Sequence, residues 1–143
     1  KSRKNCERRS FIMEENFKAE IISPEKIIFS GESLMVTLPS YEGDMSILKN
    51  HISIITFLRP GIIKIKQNNE TFKEFFVQDG TIEYFNNNLV VLSASALNIK
   101  DLSKDFINDL SNETQSQIEK KNITDHDRYM LSHKLDALKG LGT

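Results

Sequence analysis

Between Phe17 and Ala96 the chain repeats one pattern: short apolar or alternating runs, each stopped within a few residues by proline, glycine, asparagine or aspartate. Phe17–Ser23 runs into Pro24, which has no N–H for a β-ladder and marks a turn or a sheet edge. Lys26–Ser30 ends at Gly31-Glu32. Leu34, Val36 and Leu38 then alternate with Met35, Thr37 and Pro39, the period of two expected of a half-buried strand. Ile63 and Ile65 alternate with Lys64 and Lys66, so the lysines should face solvent. Gln67-Asn68-Asn69-Glu70 and Asn86-Asn87-Asn88 are hairpin signals between the runs Thr71–Val77, Thr81–Phe85 and Leu89–Ala96. Turns recurring roughly every 8–12 residues predict an all-β sandwich or barrel. In such a fold every second side chain points inward, and two layers bury each other's apolar faces.

Within this pattern the stretch Leu38–Gly61 stands out, because it combines the most polar turn, Ser40-Tyr41-Glu42-Gly43-Asp44, with a lone His51 and a Pro60-Gly61 turn. The segment Ile52–Leu58 is nearly all apolar and rich in β-branched residues, which predicts a strand buried on both faces.

Beyond Leu97 the period changes to that of helices. Asp101 or Ser103 is placed to cap a helix whose apolar positions are Leu102, Phe106, Ile107 and Leu110. From Ser111 to Lys121 only Ile118 is apolar, and Asn122-Ile123 breaks the run. Thr124 opens a second helix with Asp125 and Asp127 in its first turn, where negative charge suits the helix dipole. Leu131, Leu135 and Leu138 form its stripe, and Gly140 and Gly142 are expected to end it. Both stripes are narrow, so the pair must lean on each other, on the sandwich or on another protein. The predicted architecture is therefore mainly β with α: an N-terminal β-sandwich over residues 13–98, followed by a C-terminal antiparallel two-helix hairpin over residues 99–143.

Residues 1–12 hold five basic residues and one acid and lack a sustained apolar pattern, so a disordered or upstream extension is expected, with Met13 as the natural start. Residues 13–98 hold seven basic residues against eleven acids. That balance, with a net charge of −1 for the whole chain, argues against a general nucleic-acid binder. Phe72, Phe75 and Phe76 interleaved with Lys73 are accordingly assigned to the core rather than to a base-stacking platform. No apolar run approaches the roughly 20 residues that span a bilayer, so membrane association would go through a partner. One cysteine, Cys6, and three histidines without ligand spacing give no disulfide framework and no metal site.

Asp44, Ser46 and His51 contain the residue types of a nucleophilic triad, but no G-x-S-x-G turn accompanies them, so His51 is read as a structural or surface-contact residue. Glu42 and Asp44, flanking Gly43, are read as solvent-facing turn residues. Tyr129-Met130-Leu131 is apolar over three consecutive positions, more than one helix face needs, and fits either core or a surface for a partner helix. No glycine belongs to a phosphate-cradling run, and no cofactor is expected.

Several of these segments occur together in one known family. Ser23-Pro24-Glu25-Lys26, Phe29-Ser30-Gly31-Glu32, Glu42-Gly43-Asp44, His51 and Arg59-Pro60-Gly61 follow one another in the order and spacing of the epsilon subunit of bacterial F-type ATP synthases. Val77-Gln78-Asp79-Gly80 and Val90-Val91-Leu92 resemble that family's V-x-G-G and V-x-V-L segments. The resemblance covers about Phe17 to Leu141; the mitochondrial counterpart, called delta, is similar.

The resemblance implies a β-sandwich with a helical hairpin and a non-catalytic role in the central stalk (rotor). Such a subunit couples proton translocation to ATP synthesis by binding the gamma subunit and the c ring, with the alpha and beta subunits as further partners of its C-terminal helices. It implies that Tyr41, Glu42, Asp44 and His51 meet the polar loops of the c ring, where acids would pair with basic groups. It implies a peripheral place on the cytoplasmic side of the cell inner membrane, or the matrix side of the mitochondrial one. Three departures stand out. Lys49-Asn50 and Ile52-Ser53 replace the usual Pro-Gly and Ala-Pro around His51. Ile99–Asp105 lacks the arginine and alanine of nucleotide-binding members, and the second helix lacks the length and basic charge of inhibitory ones. The alternative without the family is a stand-alone β-sandwich protein-binding module with a helical tail; a small hydrolase using His51 comes third.

Overall fold

The computed structural model describes residues 16–141; the expectations for residues 1–12, for Met13 and for Gly142 lie outside the described residues. Ten strands come first: β1 Phe17–Ile22, β2 Ile27–Ser33, β3 Met35–Ser40, β4 Gly43–Ile47, β5 Ile54–Leu58, β6 Gly61–Lys66, β7 Phe72–Val77, β8 Gly80–Phe85, β9 Asn88–Leu92 and β10 Leu97–Asn98. A 3-10 turn, Ile99–Asp101, leads to two helices, α1 Lys104–Ile118 and α2 Asp125–Leu141. This is the mainly β sandwich with a C-terminal helical pair that the alternation predicts.

The strands form one continuous sheet in the order β10-β7-β6-β3-β5-β8-β9-β1-β2, with β4 on the outside of β3. Between β3 and β5 the ladder narrows to the single pair Ser40↔Leu58. There the sheet folds over on itself and makes two layers. Layer one holds β10, β7, β6, β3 and β4; layer two holds β5, β8, β9, β1 and β2. Val36, Leu38, Ile47, Ile63, Ile65, Phe75 and Val77 of layer one meet Phe17, Ile21, Leu58, Ile82, Tyr84, Leu89 and Val91 of layer two in one buried cluster. Most connections are antiparallel, but β1 lies parallel to β9, with Ala19 opposite Leu89 and Ile21 opposite Val91.

Local chemistry fixes the turns. Asn86 and Asn87 both have positive φ (50° and 61°), the type I′ geometry that matches strand twist in a two-residue hairpin. Asn68 Oδ1 accepts from the backbone N–H groups of Glu70 and Thr71 at 2.9 and 2.8 Å and closes the β6–β7 turn. Gly80 sits at φ 150°, and a Cβ there would stand 2.5 Å from the Leu92 carbonyl oxygen, so no other residue fits the start of β8.

The helices follow the predicted caps. Ser103 Oγ accepts from Phe106 N–H at 3.1 Å, and Thr124 Oγ1 from Asp127 N–H at 3.0 Å. Ile107, Leu138 and Phe76 form a second buried cluster on the outer face of layer one, with Ile62, Ile99, Leu102 and Leu110 against it. In the Phe-rich strand, Phe75 and Val77 therefore point into the sandwich, Phe76 points under the helices, and Phe72 is exposed.

Three expectations change. Segment Ile52–Leu58 is not buried on both sides: β5 alternates, and Ile55 and Phe57 stand outward, 74% and 65% exposed. Phe106 is exposed rather than part of the helical core. Gly140 does not stop the second helix, which continues to Leu141.

Candidate partner-binding surfaces

The polar turn between β3 and β4 is held in shape from inside. Ser40 Oγ donates to the Gly43 carbonyl at 2.7 Å, and Gly43 adopts φ 143°. Tyr41 N–H donates to the Phe57 carbonyl at 2.8 Å, tying the turn to the end of β5. The first half of α2 then lies against it. The Tyr41 hydroxyl shares a 3.1 Å hydrogen bond with His126 Nδ1, and their rings stack at 5.7 Å. The Tyr129 hydroxyl donates to the Tyr41 carbonyl, and its ring lies 5.1 Å from that of Tyr41. Arg59 completes the cluster, donating to the Tyr129 hydroxyl at 3.3 Å and pairing with Asp44 at 3.2 Å. Glu42 stays exposed and joins neither of the two ion pairs found among the described residues.

The Tyr129-Met130-Leu131 run is thus neither plain core nor a free surface: all three side chains are half-buried, and Tyr129 joins sandwich to helix. His133, one helical turn on, sets its ring edge-on to Tyr129 at 4.5 Å. Burial lowers its pKa below the usual histidine value and the Arg59 charge lowers it further, against opposing pulls from Asp136 and Asp44. Lys134, beside Glu113 of α1, is likewise lowered by burial, with Glu113 acting against the shift.

His51 belongs to a different place. Sequence spacing groups it with Tyr41, Glu42 and Asp44, but β4 runs away from the turn, and at about 3.3 Å per residue its ends stand roughly 13 Å apart. The structure therefore keeps the first three together and puts His51 past the far end of the strand. There His51 Nδ1 lies 2.7 Å from the Ile52 carbonyl, and its ring meets Tyr84 edge-on at 5.8 Å. Asn87 Oδ1 accepts from Asn50 N–H at 2.8 Å and from the Tyr84 hydroxyl at 2.9 Å, docking this loop on the β8–β9 hairpin. Burial raises the Tyr84 pKa, partly offset by hydrogen bonding to the backbone of Asn50 and His51. Ser46 shares its hydrogen bond with Thr37 at 3.3 Å, so Asp44, Ser46 and His51 do not converge on a reacting atom. Among the described residues no three His, Cys, Asp or Glu side chains gather as a metal site, and no helix is long and apolar enough to cross a membrane.

A third surface has no motif behind it. The outer face of layer two carries Ile55, Phe57, Phe85 and Leu92, all exposed. Register sets Phe57 opposite Thr81, Thr81 opposite Leu92 and Leu92 opposite Ile22, a continuous row across four strands. This row lines a largely apolar cleft of about 870 Å³, to which Tyr41, His126 and Met130 also contribute. Single-sequence reasoning placed part of this row in the core, because an apolar run does not say whether its outward residues are covered.

A folded-over sheet with a helical pair on its first layer, and no cover over its second among the described residues, defines a sandwich-plus-hairpin protein. Residues 16–99 match the family described as ATP synthase, Delta/Epsilon chain, beta-sandwich domain, and the chain belongs to that family. It is 46% identical to the ATP synthase epsilon chain of Pelagibacter ubique over 130 residues, covering 90% of this chain and 99% of that one. To the epsilon chain of Parvibaculum lavamentivorans it is 32% identical, over 90% of this chain and 97% of the other. In fold it is similar to a chain of the Euglena gracilis mitochondrial ATP synthase structure of OSCP, F1 and c-ring, with TM-score 0.70 at 13% identity, covering 89% of this chain and 79% of that one.

Proposed function

We propose that this chain is a non-catalytic rotor subunit of a proton-translocating ATP synthase, joining the gamma subunit to the ring of c subunits in the central stalk. Membership of the delta/epsilon family carries the reading. A structure of the Tetrahymena thermophila central stalk and c-ring, similar in fold with TM-score 0.59 at 16% identity over 88% of this chain and 96% of that one, supports it. The bare face of layer two is the surface assigned to gamma: Ile55, Phe57, Phe85 and Leu92 form the kind of apolar centre that association buries. His51, which the family resemblance assigns to the c ring with Tyr41, Glu42 and Asp44, lies past the far end of β4 beside the exposed Ile52.

The Tyr41–Asp44 turn is the surface assigned to the c ring. Tyr41 is largely engaged by α2, and Asp44 by Arg59, so Glu42 is the acid most available to basic groups on the ring loops. The division into a sandwich, residues 13–98, and a hairpin, residues 99–143, belongs to this reading, as does a peripheral place on the cytoplasmic side of the inner membrane. Glu42→Lys should leave gamma capture in native pull-downs intact while uncoupling ATP hydrolysis from proton pumping in membrane vesicles. Unchanged coupling would overturn the ring assignment, and a wild-type chain that captures no gamma would overturn the whole reading.

A further inference from the structure

Helix α2 is fastened in two different ways along its length. Its second half is held by apolar packing: Leu138 is buried with Ile107 and Phe76, and Ala137 and Leu141 pack against them. Its first half rests on hydrogen bonds and rings, with His126 and Tyr129 on Tyr41 and Arg59 on the Tyr129 hydroxyl, while His133 packs on Tyr129 of the same helix and lines one cleft with Arg59. We propose that this junction is a proton-sensitive latch, in which protonation of His133 loosens the first half of α2 from the sandwich while the second half stays docked.

The groups facing His133 set the direction. Arg59 approaches from the β5–β6 corner, Lys64 from β6, Asp44 from β4, and Tyr129 and Asp136 from α2 itself. A proton on His133 places a second cation beside the Arg59 guanidinium, which is already committed to Asp44 and the Tyr129 hydroxyl. Burial is the larger penalty and the Arg59 charge the next, and together they outweigh the two acids. The docked histidine thus binds a proton less readily than the free one. Docking keeps its full strength above the ordinary histidine value of about 6.5, weakens as pH falls below it, and levels off once the docked side chain is also protonated. His126 Nδ1 meets the Tyr41 hydroxyl, a group that can donate or accept. The latch also forms a wall of the 870 Å³ cleft, since Tyr41 and His126 line it, so loosening the helix widens that cleft.

Hydrogen exchange of the full chain, corrected for intrinsic rates and followed from about pH 7.5 to about pH 5.5, tests this directly. The expected result is a loss of protection over residues 126–133 on acidification, with residues 135–141 unchanged. His133→Gln should flatten that dependence, and His126→Gln should keep it. Arg59→Gln should shrink the loss, because the cation that opposes protonation is gone. The latch is overturned if wild type shows no loss, if His133→Gln retains the wild-type slope, if His126→Gln abolishes it, or if both halves of the helix open together.

Discussion

The two outer faces of the sandwich start from similar material and end differently. Each layer presents aromatic and branched residues outward: Ile62 and Phe76 on layer one, Ile55, Phe57 and Phe85 on layer two. On layer one the helices cover them, and Phe76 is fully buried. On layer two nothing among the described residues covers them, and Phe57 and Phe85 are each 65% exposed. An apolar face sealed by its own chain contributes to stability, whereas one left bare contributes to association. The contrast separates what holds this molecule together from what it offers to others.

Three substitutions can sharpen or break that contrast. Phe76→Ala should have the largest effect, about 3–5 kcal/mol by chemical denaturation, because it opens a cavity between the sheet and Ile107 and Leu138. Ser103→Ala should cost about 1 kcal/mol, read as a lower denaturation midpoint, since the first turn of α1 loses the acceptor for Phe106 N–H. Ile55→Ser on the bare face should change stability by no more than about 0.5 kcal/mol while weakening capture of gamma. If Ile55→Ser destabilised the isolated chain as much as Phe76→Ala, the two faces would not differ in the way described. Within the sandwich itself, Ser33→Ala offers a baseline: its buried Oγ has no hydrogen-bond partner among the described residues, so removing it should be neutral or slightly stabilising.

Most of the strands, their turns and both helix caps were legible in the sequence, because each depends on residues within a few positions of one another; β4 and β10 were not. Asn86-Asn87 specifies its own hairpin, and Ser103 and Thr124 cap helices three residues away. What stayed hidden depends on distant parts of the chain. The burial of β5 could not be read from Ile52–Leu58, because it turns on whether another element lies over the sheet. The junction of Tyr41 with His126 and Tyr129 joins residues more than 80 positions apart, and no periodicity announces it. The length of β4 separates His51 from Tyr41, Glu42 and Asp44, a separation that spacing along the chain does not reveal.

The parallel pairing of β1 with β9 has a consequence for how the molecule is made. Residues 17–22 form one side of a ladder whose other side, Asn88–Leu92, is synthesised some 70 residues later. During translation the β1–β2 hairpin therefore waits with an open edge and an apolar face containing Phe17, Ala19, Ile21 and Phe29, until β9 has left the ribosome. Layer two cannot close before β9 has been made, and nascent chains halted before Leu92 should be ones that chaperones hold.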